Sequence, residues 1–131
     1  MKTKLHYKIA LLLISYALIF SGAVFAGTAT VEGVIGGANC VVVKKTCAVN
    51  NNDPHIALEQ DFVLSVSDGN YYLLPNISRS LKTRYLNKPV RITGDLRGQA
   101  LVVATIEVKR GGTFQEVWNW QEITNELNMG M

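Results

Sequence analysis

The chain has 131 residues, 48% of them hydrophobic, with 13 Lys and Arg against 10 Asp and Glu and a formal charge of +3. That length is the length of one domain. The positive charge is unevenly placed: Lys2, Lys4 and Lys8 precede an apolar run, and all ten acidic residues follow Ala26. The remainder is formally neutral, which excludes a general electrostatic affinity for nucleic acid or anionic lipid.

The three lysines form a positive n-region, and Ile9 to Phe20 is an apolar core broken only by Ser15 and Tyr16. Ser21 to Ala26 then supplies small residues, with Val24 and Ala26 at the −3 and −1 positions of a cut. Residues 1–26 therefore read as a secretory signal peptide. The competing reading is an uncleaved anchor, since Ile9 to Ala26 is uncharged and near the lower length limit for a span. Ser21 and Gly22 weaken it, and no Cys follows the cut to carry a lipid. The expected location is periplasmic or secreted, with no membrane attachment after cleavage.

Thr28 to Ile35 reads as a first strand, with Gly36-Gly37 as a bulge or bend. Cys40 to Val43 reads as a resumed, buried extended run, and Asn50 to Pro54 as a loop. Phe62, Leu64 and Val66 alternate with Val63 and Ser65 in a second strand. Asp68-Gly69 marks a hairpin, and Tyr71 to Leu74 is a third strand stopped by Pro75. Ser78 to Leu86 reads as a short helix capped by Ser78, burying Leu81 and Tyr85 on one side. Val90, Ile92 and Gly94 alternate with Arg91 and Thr93 in a fourth strand. Leu101, Val103, Thr105 and Glu107 alternate with Val102, Ala104, Ile106 and Val108 in a fifth. Asp95 to Gln99 is the turn between them, with Gly98 free to take positive φ. After Gly111-Gly112, Thr113 and Glu116 match a capping box, and Val117, Trp120, Ile123 and Leu127 form an amphipathic helical face.

The expected architecture is thus mainly β: a five-stranded OB-like Greek-key barrel over 27–110, with a short helix between strands three and four. Residues 111–131 form a C-terminal amphipathic helical tail. The order of motifs also resembles a group of small exported bacterial OB-like proteins. Val31-Glu32-Gly33-Val34, Cys40, Cys47, Pro54, Phe62 to Val66, Asp68 to Leu74 and Leu86 to Gly94 match that group's succession of motifs. The resemblance covers about Thr30 to Val108. It implies a fold rather than an activity, because such proteins mostly lack an assigned function, and it carries no catalytic residue across.

Four sets of residues are candidates for chemistry. Cys40 and Cys47, an even pair in an exported chain, read as a disulfide; closing so short a loop stabilises by roughly 2–3 kcal/mol in the chain-entropy picture. The alternative is a metal or redox site built from Cys40, Cys47 and His55, with Asp53 or water as a fourth ligand. Tyr71, Tyr72, Arg79, Arg84 and Arg91, with Lys82, Tyr85 and Lys88, form a basic, Tyr-bearing segment. It is either a ligand face for an anion or glycan, or a solvated helix whose stems cover Tyr rings. Glu59 and Asp61 read as a solvated strand entrance rather than an acid/base pair. Phe114, Trp118 and Trp120 lie in the tail. On a continuous helix the two indoles stand about 200° apart, so one face cannot hide both. The tail either caps the barrel, with Trp118 against the Gly111-Gly112 turn, or meets a partner.

No nucleophile, base and orienting group converge in the sequence, and no cofactor is implied. The chain reads as a non-enzymatic module that binds a protein partner or small ligand, with no nucleic-acid partner. N-terminal sequencing of the protein recovered from outside the cytoplasm is expected to begin at Gly27. A start at Met1 would favour the anchor.

Overall fold

The structure is a computed structural model and describes residues 27–130. The proposed signal peptide lies outside the described residues. The fold is mainly β, one six-stranded antiparallel sheet in the order β3-β2-β1-β4-β5-β6. The strands are β1 (Gly27–Gly37), β2 (Phe62–Ser65), β3 (Tyr71–Tyr72), β4 (Pro89–Arg97), β5 (Ala100–Arg110) and β6 (Thr113–Asn119). Three α-helical segments accompany them: α1 (Ala38–Val41), α2 (Arg79–Arg84) and α3 (Trp120–Met129). Short 3-10 turns occupy Pro54–Leu58 and Ser67–Gly69.

β1 is the longest-range organiser of the sheet. Residues 27–34 pair with β4, and residues 34–37 pair with β2, Val34 standing opposite both Pro89 and Ser65. The expected break at Gly36-Gly37 does not occur; the strand runs through both glycines and ends at α1. Beyond β3, Leu73 makes a parallel bridge to Ala100 at the start of β5. Two hydrogen bonds secure it, Leu73 N–H to Gln99 O and Leu101 N–H to Leu73 O, each 2.8 Å.

The core is the inner face of this sheet. Ile35, Phe62, Leu64, Val90, Ile92, Leu101, Val103, Ile106 and Val108 are buried with Leu74, Ile77, Tyr85 and Leu86 from the β3–β4 connection. That connection contains the expected short helix: Ser78 caps α2 by accepting from Leu81 N–H, and Tyr85 is buried. β4 follows strict alternation, Val90, Ile92 and Gly94 inward, and Gly98 takes φ +60 in the turn that follows. The turn is tighter than expected, because β4 continues to Arg97 and β5 begins at Ala100.

Three segments depart from the sequence expectation. First, β5 does not keep one phase. Thr93 pairs with Thr105 but Gly94 with Val103, so Ala104 is an extra residue in a bulge. The bulge flips the phase: Leu101 and Val103 point inward before it, and Ile106 and Val108 after it. Unbroken alternation would have left two large β-branched residues in water.

Second, Cys40 to Val43 is not an extended buried run. Residues 38–41 form a helical turn, and Val42 and Val43 are exposed. The cause is remote in sequence: the Glu59 carboxylate accepts from the amides of Asn39 (2.6 Å) and Cys40 (3.2 Å), supplying the acceptors that an extended strand would have found in a neighbour.

Third, Thr113–Asn119 is a strand and not the start of a helix. Gly111 and Gly112 both take positive φ (57° and 86°), which makes the two-residue turn that sends the chain back along β5. The exposed edge of β5 then supplies pairing partners from Arg110↔Thr113 to Thr105↔Asn119. Thr113 donates to Arg110 O instead of capping a helix. The helix starts seven residues later, capped by Asn119, which accepts from Gln121 N–H at 3.0 Å. The sheet therefore has six strands where five were expected, and it is not closed into a barrel.

Deletion of Ala104 removes the extra residue and leaves Ile106 and Val108 inward in an unbroken alternation with Val103, so cooperative urea unfolding is expected to persist; its loss would contradict the bulge assignment. Ala104→Ser, on the exposed side, is expected to stay within about 0.5 kcal/mol of the parent.

Candidate functional site

Cys40 and Cys47 are joined in a disulfide. Both sulfurs are thereby spent as metal ligands. Among the described residues no group of three His, Cys, Asp or Glu side chains lies close enough to hold a metal ion. The set Cys40, Cys47 and His55 is therefore not assembled as a metal site. The disulfide is consistent with an oxidising compartment, and among the described residues no helix is long and apolar enough to cross a membrane.

His55 has a different partner. Its Nδ1 lies 2.7 Å from Asp53 Oδ1, and Asp53 also accepts from Val49 N–H and His55 N–H at 2.9 Å each. The Val49 and His55 amides, with the imidazole, hold the Asp53 carboxyl down at about 2, against an ordinary 3.8. Asp53 thus caps the Pro54–Leu58 turn and orients the ring.

Of the expected solvated strand entrance, Asp61 remains half exposed before β2, whereas Glu59 does not. Glu59 is 5% exposed. A Cβ at Gly37 would run into its carboxylate, so glycine at 37 is what lets the group reach α1. Asp61 receives both hydrogen bonds of Lys82 Nζ at 2.8 Å, and Lys82 is 2% exposed. The burial of Lys82 requires that partner. Arg79 is equally committed: its guanidinium donates to Glu59 O (2.8 Å) and Ile56 O (2.6 Å) and stacks 4.8 Å above the Phe62 ring. These charges hold the 54–61 loop on α2 rather than waiting for a ligand.

The expected ligand face is accordingly dispersed. Tyr71 and Tyr72 are half-buried on β3, with Tyr72 packed on the core. Arg84 is exposed at the end of α2. Arg91 stands on β4, three places from β3 in the sheet order. It bonds Glu32 (2.8 Å), lies 3.8 Å from Glu107, and stacks 3.9 Å over the Phe114 ring. Of the cations in that segment, Lys82 and Arg91 are paired with carboxylates from elsewhere in the chain and Arg79 is bonded to backbone carbonyls, while Arg84 and Lys88 have no ion-pair partner among the described residues.

The tail residues are regrouped as well. Trp118 is on β6 opposite buried Ile106, packs on the core, and stands well away from the Gly111-Gly112 turn. Trp120 opens α3 and is 48% exposed. Because residues two apart on a strand share a face, the indoles come together, centroids 6.1 Å apart and planes inclined at 38°. The helical separation of about 200° does not apply to a pair that straddles a strand end. Phe114 pairs with Lys109, three residues from Ile106, and so lies on the opposite face from Trp118. Along α3, Leu127 and Met129 are exposed and no residue is buried. β6 is the last strand of the sheet, its outer edge unpaired among the described residues.

Toward the other end of the sheet order lies a cleft of about 640 Å³ between the disulfide loop and the Pro54–Leu58 turn. Sequence reasoning placed the alternative metal or redox set of Cys40, Cys47 and His55 in this region, and of that set only His55 lines the cleft. Lys44 and Lys45 give it two cations within the disulfide loop, a signal present in the sequence but without a spatial partner to interpret it.

Comparison with protein-family models, curated proteins and solved structures finds no match to this chain. The geometry alone carries the functional reading.

An ionised Asp53 favours the folded state, since its folded value lies below its unfolded one. That contribution is complete above pH 3.8 and fades as pH falls to about 2. The stability difference between the parent and Asp53→Asn is expected to be constant above about pH 4 and to narrow on acidification, as read from urea melts. A difference that persists unchanged to pH 2 would contradict the assigned hydrogen bonds.

Proposed function

We propose that this chain is an exported OB-like module that binds rather than catalyses, and that its partner is an extended segment of another protein laid along β6. Support for the OB-like reading comes from the strand order β3-β2-β1-β4-β5. The helix between β3 and β4 and the parallel bridge from Leu73 to Ala100, which brings the two ends of that five-strand set together, add to it. Support for export comes from the n-region, apolar core and small-residue cut at 1–26, together with the disulfide.

The observation that carries the binding reading is the Trp118–Trp120 pair beside the free edge of β6. An open edge offers backbone donors and acceptors to a further strand. An exposed Trp anchored by a second, core-packed Trp is a rigid apolar contact of the kind that dominates binding energy. A catalytic reading has no such support: the one His among the described residues is bonded to Asp53, and no Ser, Thr or Cys is hydrogen-bonded to its ring.

A photo-crosslinking side chain at Glu116 on β6 is expected to trap a discrete envelope or secreted polypeptide, whereas the same group at Thr30 on β1 is not. Trp120→Ala is expected to lower the Glu116 yield by roughly tenfold or more with an unchanged thermal melt, and Trp120→Phe to restore part of it. Equal trapping from Glu116 and Thr30, or indifference to Trp120→Ala, would overturn the reading.

A further inference from the structure

The cleft between the disulfide loop and the Pro54–Leu58 turn contains charges that the fold does not use. Lys44, Lys45 and Thr46 line it from the disulfide loop, Asn39 from α1, and His55, Leu58 and the committed carboxylate of Glu59 from the Pro54–Leu58 turn and its end. Two carboxylates are near, and both are already committed. Glu59 accepts from the Asn39 and Cys40 amides, and Asp53 accepts from two amides and the His55 ring. Among the described residues neither lysine side chain has an ion-pair partner. Lys82, Arg91 and Arg97 are each paired to a carboxylate. Arg84, Lys88, Lys109 and Arg110 are unpaired among the described residues like Lys44 and Lys45, but of these six only Lys44 and Lys45 line the cleft.

The lysines are also positioned. Successive residues of an extended chain point to opposite sides, which would put only one of Lys44 and Lys45 into the cleft. Lys44 instead takes a left-handed backbone, φ 60°, a conformation that costs a non-glycine residue on the order of 1–2 kcal/mol and persists only where the surroundings impose it. With this kink, residues 44, 45 and 46 all line the cleft. The Cys40–Cys47 bond closes this loop, and Lys45 N–H donates to Asn39 O at 3.1 Å across it. At His55, Asp53 occupies Nδ1, leaving Nε2 as the ring's free polar atom among the described residues. The cleft has the size of a small-molecule site, larger than a bare oxyanion requires, and Leu58, 70% exposed, adds an apolar surface to it.

We infer that this cleft binds a small organic anion, its phosphate or carboxylate group held by Lys44 and Lys45 and its apolar body against Leu58, with the disulfide fixing the lysines in place. The site is separate from the Trp118–Trp120 edge and does not depend on the partner reading given for it.

The test uses the full mature protein, amide and His55 ring NMR signals, and phenyl phosphate, benzoate and inorganic phosphate as probes at fixed ionic strength. Saturable shifts confined to residues 39, 44–46, 55 and 58 are expected with at least one of the two organic probes. The better organic probe is expected to bind roughly fivefold or more tightly than inorganic phosphate, through contact with Leu58. Comparing phenyl phosphate with benzoate separates a phosphate from a carboxylate headgroup.

Lys44→Gln/Lys45→Gln is expected to weaken binding by about tenfold or more, with an unchanged thermal melt since neither side chain contributes a bond to the fold. Leu58→Ser is expected to weaken the organic probes while leaving inorganic phosphate unaffected. Reduction of the disulfide is expected to weaken binding through loss of lysine placement. Non-saturating shifts, equal shifts from chloride, or unchanged affinity in the double lysine variant would each overturn the inference. So would equal affinity of all three probes, which marks simple charge attraction.

Discussion

The whole sheet depends on one strand satisfying two partners in succession. β1 gives its first residues to β4 and its last to β2, and the exchange takes place at Val34. Had β1 stopped at Val34, the pair β2-β3 would have had no backbone edge to join. Because it continues, the two groups of strands share one hydrogen-bonded surface. Leu74, Ile77, Tyr85 and Leu86 then pack into the same core as Ile92 and Ile106. The approach of Leu73 to Ala100 follows from this sharing, since it brings the far edge of β3 round to the start of β5.

The two ends of the strand order are stabilised by different physics. On the β4-β5-β6 side the strands are long and the burial is apolar, with the bulge at Ala104 keeping both halves of β5 in phase with the core. On the β2-β3 side the strands are short, and polar contacts over long sequence separations do the joining. Glu59 reaches back to the amides of α1, Arg79 reaches to the carbonyls of Ile56 and Glu59, and Lys82 is buried on Asp61. A buried lysine with a carboxylate on one side is tolerable only while that carboxylate stays in place, which ties α2 to the residue preceding β2.

That division also separates the two candidate surfaces. The tryptophan pair belongs to the apolar end, where a strand has been added to the edge of β5 and its own outer edge is unpaired among the described residues. The cleft belongs to the polar end, where the disulfide loop faces the Pro54–Leu58 turn. Each contains side chains in excess of what packing requires: an indole half in water in one case, two unpaired ammonium groups in the other.

What the amino-acid sequence determined by itself was local. Period-two runs located β2, β4 and most of β5, Ser78 announced α2, Gly98 announced a left-handed turn, and two cysteines in an otherwise cysteine-free chain announced their bond. Each of these is a property of neighbouring residues or of composition, so a one-dimensional pattern suffices. What only the tertiary structure decided was everything settled by partners far along the chain. The helical turn at Ala38–Val41 depends on Glu59, and the fate of Lys82 and Arg91 depends on Asp61, Glu32 and Glu107. The strand at Thr113–Asn119 depends on a free edge of β5 that outcompetes a locally plausible helix start. Even the distance between Trp118 and Trp120 was undetermined until the backbone between them was known, because a strand brings residues two apart together where a helix would drive them to opposite sides.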